Sequence, residues 1–169
     1  MHRVTRITKL HKASILTIGR KIFNANDVSL LEKALQECSR EYSRIIVAND
    51  NATDVLGFAI VKQRVSTVNT YELAFLGIDP IYQGRGGGSQ LLRAIEDALP
   101  PSASCWLLVN QDNPTAQNLY SKFGFHILCE SLDPFQVPCF IMMKIPCIDI
   151  PPHIKPLKLQ YNFNSQIVM

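Results

Sequence analysis

The sequence has no long apolar run, no closely paired cysteines and few charged residues. No apolar stretch in the 169 residues approaches the length of about 18 that a membrane-spanning helix requires. The five cysteines include no Cys-x-x-Cys pair, and their odd number argues against a disulfide framework. No group of histidines and cysteines has the spacing of a zinc site. These absences exclude a membrane-spanning helix, argue against a disulfide-stabilised protein, and predict a reduced, cytoplasmic setting without a bound metal.

Acidic side chains are absent from the first 26 residues, which contain six basic ones, whereas the remaining chain has 11 basic and 14 acidic residues. Such a segment is typical of a solvated helix face, or of a surface that attracts an acidic partner or phosphate groups. It also resembles an organellar transit peptide, but residues 3–7 and 10–23 are needed as the first strand and helix of the predicted fold. Basic residues do not alternate with aromatic ones, so nothing predicts a nucleic acid as partner.

Apolar residues make up 47% of the chain, enough for one packed domain. Their spacing predicts the element order β-α-α-β-β-β-α-β-α-β-β, an α/β fold with a mixed sheet of six to seven strands flanked by about four helices. The first strand is predicted at residues 2–8, and Asp27 is predicted to cap the second helix.

We assign residues 1–146 to this domain and residues 147–169 to an extension. Three prolines, Pro151, Pro152 and Pro156, interrupt the extension before a predicted edge strand at residues 157–163. We expect it to pack on the domain or on a partner subunit of a homodimer.

Glycine is scarce, yet four of the eight glycines lie in the run Gln-Gly-Arg-Gly-Gly-Gly at residues 83–88. This run separates a predicted strand, residues 73–78, from a predicted helix, residues 89–99. Glycine lets successive N–H groups close around an anion, and a helix start adds free donors and a positive dipole end. The loop therefore indicates either a phosphate site or a plain flexible turn. It lacks the Lys-Ser/Thr pair of a Walker loop and the third glycine of a dinucleotide motif.

Two motifs resemble those of the GNAT N-acetyltransferases. Gln83, Gly86 and Gly88 match the acyl-CoA signature Gln/Arg-x-x-Gly-x-Gly/Ala, and residues 113–125 match the family helix Asn-x-x-Ala-x-x-Leu-Tyr-x-x-x-Gly-Phe. The resemblance extends over residues 42–144 and implies a GNAT-like fold, acetyl-CoA as co-substrate and no metal. Gly87 departs from the family pattern, because many relatives have a larger residue there.

The resemblance also implies which residues bind coenzyme A. In the family, pantetheine fits between two separated parallel strands and pairs with the end of the strand before the loop, where the Ile78 N–H could polarise the acyl carbonyl. The diphosphate rests on loop N–H groups, Arg85 adds charge, and Ser89 offers a hydroxyl. Asn113 caps its helix and contacts the pantetheine. The residues so implied are Leu76, Gly77, Ile78, Gln83, Gly84, Arg85, Gly86, Gly87, Gly88, Ser89 and Asn113.

Glu72 is the candidate general base. It is the only acid in its predicted strand, and alternation places it on the same face as Ala74, Leu76 and Ile78, where apolar neighbours would raise the carboxyl pKa. The strand also resembles the one that contains the catalytic glutamate in histone acetyltransferases of the superfamily. The alternative is an exposed edge glutamate without a catalytic role.

Tyr120 occupies the family position of the acid that assists departure of the thiolate. It also belongs to an apolar helical stripe with Ala116, Leu119 and Phe123, so the alternative is a core tyrosine whose hydroxyl bonds to any available partner.

These features predict an acyl-CoA-dependent N-acetyltransferase that transfers the acetyl group of acetyl-CoA directly to a primary amine in a ternary complex. A protein lysine, a protein N-terminus and a small amine all remain open as acceptors. Residues 107–110, Leu-Leu-Val-Asn, lack the Glu and Arg of the ribosomal-protein N-terminal acetylases, which argues against that group. Two other functions remain open: a non-catalytic acyl-CoA sensor, and an acyltransferase for longer acyl chains.

Overall fold

The computed structural model describes residues 9–37, 43–49, 55–63 and 69–146. The helices in these ranges are α1 (Lys9–Ile22), α2 (Ala25–Glu37), α3 (Gly87–Ala98) and α4 (Pro114–Lys122). The strands are β1 (Ser43–Asn49), β2 (Val55–Gln63), β3 (Thr70–Ile78), β4 (Ser104–Asn110), β5 (His126–Leu132) and β6 (Pro138–Lys144). A short 3-10 helix, Pro80–Tyr82, follows β3. None of the described helices is both long and apolar enough to cross a membrane.

The order of these elements is the predicted one, and the strands predicted at residues 2–8 and 157–163 lie outside the described residues. Two helix starts were predicted wrongly. Helix α3 begins at Gly87, two residues earlier than expected. Helix α2 is capped by Asn24 instead of Asp27, because the Asn24 Oδ1 atom accepts a hydrogen bond from the Asp27 N–H at 2.9 Å. Asp27 lies in the first turn, where its charge favours the helix dipole.

The six strands form one mixed sheet in the order β1-β2-β3-β4-β6-β5. Strands β3 and β4 run parallel, and every other neighbouring pair is antiparallel. The predicted α/β class and the sheet of six to seven strands are confirmed. Among the described strands, the parallel pair β3–β4 lies in the middle of the sheet.

Helices cover both faces of the sheet, which explains why β2 is apolar along most of its length. Alternate residues of β2 point into different cores. Phe58 and Ile60 pack with residues of α1 and α2, such as Ile15 and Leu31. Ala59 and Val61 pack instead with residues of α3 and α4. Residues directly opposite each other in neighbouring strands lie on the same face of the sheet. The β2 residue opposite each residue of β3 therefore shows which core that β3 residue faces.

Candidate active site

Strands β3 and β4 pair over only three residues and then separate. The parallel register joins Thr70 to Ser104, Tyr71 to Cys105 and Glu72 to Trp106, with no later pair. Beyond this point β4 continues to pair with β6 up to Asn110, and β3 continues to pair with β2 up to Ile78. The second halves of two central strands therefore border a gap in the sheet.

A β-bulge at Ala74 lies just after the last β3–β4 pair. The β2–β3 register passes from Val61 opposite Leu73 to Ile60 opposite Phe75, which leaves Ala74 as an additional residue in β3. The bulge reverses the alternation of side chains along the strand. Leu73 and Leu76, three residues apart, therefore both pack in the core beneath α3 and α4.

The predicted position of Glu72 on the face of Leu76 and Ile78 is wrong for this reason. Tyr71 and Leu73 point toward α3 and α4, so Glu72 between them points toward α1 and α2. Its partner across the β2–β3 ladder is Lys62, whose Nζ atom lies 3.6 Å from the Glu37 Oε2 atom of α2. Glu72 is half-buried at the edge of the gap rather than enclosed by the apolar face.

A cavity of about 620 Å³ occupies the gap and reaches both faces of the sheet. On one side it is lined by Leu119 and Tyr120 of α4, and on the other by Phe23 and residues of α2. Glu72 lines the same cavity. The structure thus brings the two predicted catalytic residues to one cavity, with α4 on one side and the face of Glu72 on the other.

Tyr120 is 8% exposed and packs in the apolar stripe predicted for α4. Burial raises its pKa to about 12, so the phenol is protonated at neutral pH. Its ring lies 5.9 Å from that of Phe125, centroid to centroid. Within the described part of the chain, no hydrogen bond involves the Tyr120 hydroxyl. A buried, protonated phenol lining a cavity is suited to donate a hydrogen bond to a bound group.

The glycines of the loop serve two different purposes. Gly84 and Gly86 have φ values of +74° and +81°, in the left-handed region that other residues avoid. Gly87 and Gly88 leave space: a Cβ at Gly88 would lie 2.8 Å from Leu119 Cδ2, and one at Gly87 would lie 3.1 Å from Ile78 Cδ1. The first pair sets the course of the loop, and the second pair allows α3 to approach its neighbours closely.

The loop N–H groups are available to an anion. Among the described residues, no backbone carbonyl accepts a hydrogen bond from the N–H groups of residues 84–89. The first intrahelical bond of α3 runs from the Gln90 N–H to the Gly86 carbonyl. Arg85 is exposed, with its guanidinium carbon 5.7 Å from the centre of the Tyr82 ring, and Ser89 lies in the first turn of α3. These features are those of an anion site at a helix start.

The end of β3 presents backbone groups to the gap. The Asp79 N–H donates to the carbonyl of Leu56 in β2, so alternation turns the backbone groups of Ile78 and Leu76 the other way, toward the gap. The Gln83 Nε2 atom donates to the Ile78 carbonyl at 3.1 Å, which ties the loop to the strand. Gly77 does not share this orientation: its backbone groups point toward β2, and a Cβ there would lie 2.5 Å from Ile22 Cδ1.

The second predicted motif forms helix α4 as expected. Asn113 caps the helix, with its Oδ1 atom accepting from the Ala116 N–H at 3.1 Å, and Pro114 takes the first helical position. Gly124 follows the helix with φ +81°. Asn113 lines the cavity, so the motif brings both its cap and Tyr120 to the gap.

The sequence was compared with models of known protein families. The model of the GNAT acetyltransferase family matches residues 14–125. This chain belongs to the GNAT acetyltransferase family. The resemblance inferred from the two motifs is therefore confirmed.

Relatives of the GNAT chain include two curated enzymes matched over part of their length. The N-alpha-acetyltransferase RimI of Mycobacterium tuberculosis is 44% identical over 55 residues, which are 32% of this chain and 34% of that protein. The ribosomal protein bS18-alanine N-acetyltransferase of Haemophilus ducreyi is 32% identical over 75 residues, 43% of this chain and 50% of that protein. The matched segments thus span a third to a half of these relatives.

Solved GNAT structures share the fold. The ribosomal-protein-S18-alanine N-acetyltransferase from Escherichia coli superposes with a TM-score of 0.72 and 20% identity, covering 92% of this chain and 100% of that one. The PaiA N-acetyltransferase from Thermoplasma acidophilum, in complex with coenzyme A, gives a TM-score of 0.60 and 20% identity, covering 86% and 98%.

Carboxylates outnumber ammonium groups around the cavity of this GNAT domain. Its lining includes four acidic side chains and two lysines: Asp27, Glu37, Glu72, Asp133, Lys33 and Lys62. Burial, followed by the neighbouring Asp133 carboxylate, raises the pKa of Asp27. The cavity therefore has a net acidic lining.

Sequence patterns did not predict a role for Asp79. This residue is buried at the junction of β3 and the glycine loop, and the hydrogen bond from Lys21 lowers the pKa of its carboxyl group, opposed in part by burial. An Asp-Pro dipeptide is a signal for a turn, so Asp79-Pro80 could have indicated the cap. Lys21 is 58 positions away in the sequence, and no local pattern indicates it.

Proposed function

We propose that this GNAT protein transfers the acetyl group of acetyl-CoA to a primary amine by direct attack in a ternary complex. The amine nitrogen bonds to the thioester carbonyl carbon as the carbon–sulfur bond breaks. Glu72 accepts the proton that the amine loses, directly or through water, and the Tyr120 hydroxyl hydrogen-bonds to or protonates the departing thiolate. The cavity that joins both faces of the sheet carries this proposal, because it lets thioester and amine meet from opposite sides.

The glycine loop fits the diphosphate of coenzyme A. Free N–H groups at residues 84–89, the start of a 12-residue helix and the Arg85 charge are the donors that a diphosphate requires. Leu76 and Ile78 would pair with the pantetheine amides, with the Ile78 N–H near the thioester carbonyl. The Asn113 Oδ1 atom is engaged in the cap, so a contact with pantetheine would use the amide Nδ2 group.

Glu72 supports the acid–base part of the proposal through its position. An amine with a pKa near 10 arrives protonated at neutral pH and must lose a proton before it attacks. Glu72 lines the cavity beside the gap, on the side of α1 and α2. The acidic lining of the cavity also attracts a cationic amine to this side.

The acceptor class is tested with a panel of amines and acetyl-CoA, with free thiol as the readout. The names of the curated relatives favour a protein N-terminus, whereas residues 107–110 lack the Glu and Arg expected of the ribosomal-protein enzymes. The panel therefore contains N-terminal peptides, lysine peptides, polyamines, amino acids and aminoglycosides. We expect thiol release with at least one class. If coenzyme A binds but no class supports turnover, the proposed transfer from acetyl-CoA is wrong, and repeating the panel with longer acyl-CoA substrates separates an acyl-CoA sensor from an acyltransferase for longer chains.

Replacing Tyr120 with Phe is expected to lower kcat about tenfold while leaving the affinity for coenzyme A unchanged. A thiol has a pKa of about 8.5, so the thiolate leaves fairly readily at neutral pH, and the effect falls below the usual range for acid catalysis. The comparison is steady-state kcat with calorimetric Kd. Phe125→Leu, which alters the ring packed against Tyr120 but keeps the hydroxyl, serves as the packing control. Equal kcat values for Tyr120→Phe and wild type would assign Tyr120 to the core alone.

A further inference from the structure

The Asp79 side chain organises the turn that leads from β3 into the glycine loop. Its Oδ1 atom accepts from the Ile81 N–H at 3.1 Å and caps the 3-10 helix. Its Oδ2 atom accepts from Lys21 Nζ at 2.6 Å. Since the Asp79 N–H also donates to the Leu56 carbonyl, this one residue connects the loop to β2 and to α1. A buried carboxylate with its bonds satisfied holds backbone groups in fixed directions.

Two adjacent residues at the end of α1 contact β3 and the residue that follows it. Lys21 reaches Asp79, and the side chain of Ile22 fills the space above Gly77, where a Cβ would lie 2.5 Å from Ile22 Cδ1. Ile22 also lines the cavity, together with Phe23. The last turn of α1 therefore contacts β3, which is proposed to pair with pantetheine, and borders the cavity on the side of Glu72.

We propose that Lys21 and Asp79 are positioning residues for coenzyme A, and that their ion pair fixes the turn that directs the loop N–H groups toward the diphosphate. This inference rests on the proposed acetyl-CoA-dependent function. Neither side chain is required to touch the cofactor. The pair acts through the 3-10 turn, and it places the loop relative to the part of α1 that borders the acceptor side.

A neighbouring pair supplies a matched comparison. Arg20 precedes Lys21 in α1 and binds Glu32 of α2 at 3.2 Å, with both side chains well exposed. This surface pair connects two helices without contacting the loop, and exposed ion pairs contribute little to the stability of a protein. By contrast, the Asp79 side chain is only 10% exposed, while Lys21, at 43%, is as exposed as Glu32. Any effect particular to Lys21 therefore separates loop positioning from a general loss of charge on α1.

The test measures binding of coenzyme A by calorimetry and steady-state kinetics in the full chain. For Lys21→Met and Asp79→Asn, we expect the Kd of coenzyme A and the KM of acetyl-CoA to rise about fivefold, with kcat at saturation nearly unchanged, because a charge-assisted hydrogen bond is lost outside the contact surface. The double variant should have a Kd for coenzyme A no higher than that of the weaker-binding single variant, since both substitutions remove the same interaction. Lys21→Arg should restore binding, and Arg20→Met should bind as wild type.

Each outcome bears on the inference. Wild-type affinity in Lys21→Met, even with a lowered melting temperature, would reduce the pair to a structural contact and overturn the inference. An equal loss of affinity in Arg20→Met would overturn it as well. If the wild-type chain itself does not bind coenzyme A, the proposed function falls together with this inference, whereas binding by wild type and variants alike removes only the inference. Should Lys21→Met not fold, Asp79→Asn and Lys21→Gln provide the same comparison.

Discussion

Replacing Glu72 with Gln is expected to lower kcat/KM for the amine by about 10²- to 10⁴-fold, the usual contribution of a general base. The amide keeps the size and hydrogen-bonding capacity of the side chain but cannot accept a proton from the amine. Because Glu72 lies on the face opposite Leu76 and Ile78, the Kd of coenzyme A should remain that of wild type. Stopped thiol-release assays and calorimetry measure the two quantities independently.

Glu130→Gln is the matched control for this variant. Glu130 is also a strand glutamate, but it is exposed on β5 and does not line the cavity. We expect wild-type kinetics from it. If Glu72→Gln retained full turnover with normal folding, Glu72 would not be the base, and the proton acceptor would have to be sought among the other acids of the cavity.

Replacing Gly86 with Val is expected to weaken binding of coenzyme A about 100-fold or more. The φ of +81° costs a residue with a Cβ about 1–2 kcal/mol, and more for a β-branched one. A loop that relaxes from this conformation also withdraws N–H donors, each worth about 1.5–3 kcal/mol toward a charged group. Calorimetric titration with coenzyme A gives the affinity, and thermal unfolding gives the stability.

Gly124 offers a control with the same backbone strain. It also has φ +81°, after α4 and away from the loop, with space around a Cβ except for Lys144 Cε at 3.8 Å. Gly124→Val should therefore lose similar stability yet bind coenzyme A normally. Equal losses of affinity in both variants would mean that Gly86 acts through stability alone and that the loop does not bind the diphosphate.

The parts of the fold that could be predicted from sequence are those set by local chemistry. Asn113-Pro114 at one end and Gly124 at the other specify α4, because a cap, a fixed φ and a left-handed residue each act within one turn. The start of α2 was predicted wrongly for a similar local reason. Asn24 and Asp27 are both favoured N-cap residues and lie only three positions apart, so the sequence alone allows the helix to begin after either one.

The candidate site was predicted less completely than the fold. The loop glycines and Tyr120 follow from motifs, since their positions relative to the loop and to α4 are fixed along the chain. The face of Glu72 could not be obtained in this way, because a single extra residue, Ala74, reverses the alternation and leaves no mark in the sequence. The contribution of Lys21 to the turn at Asp79 was missed because it depends on how α1 lies across the sheet.

The sequence by itself determined the order of the elements and membership of the GNAT family, and it predicted an anion-binding loop, because each depends on residue types at fixed spacings. Only the tertiary structure decided that β3 and β4 part after three pairs, that Glu72 and Tyr120 reach one cavity on different sides, and that an ion pair from α1 holds the turn before the loop. These features depend on the packing of helices against both faces of a bulged sheet, and such packing joins residues that are far apart in the chain.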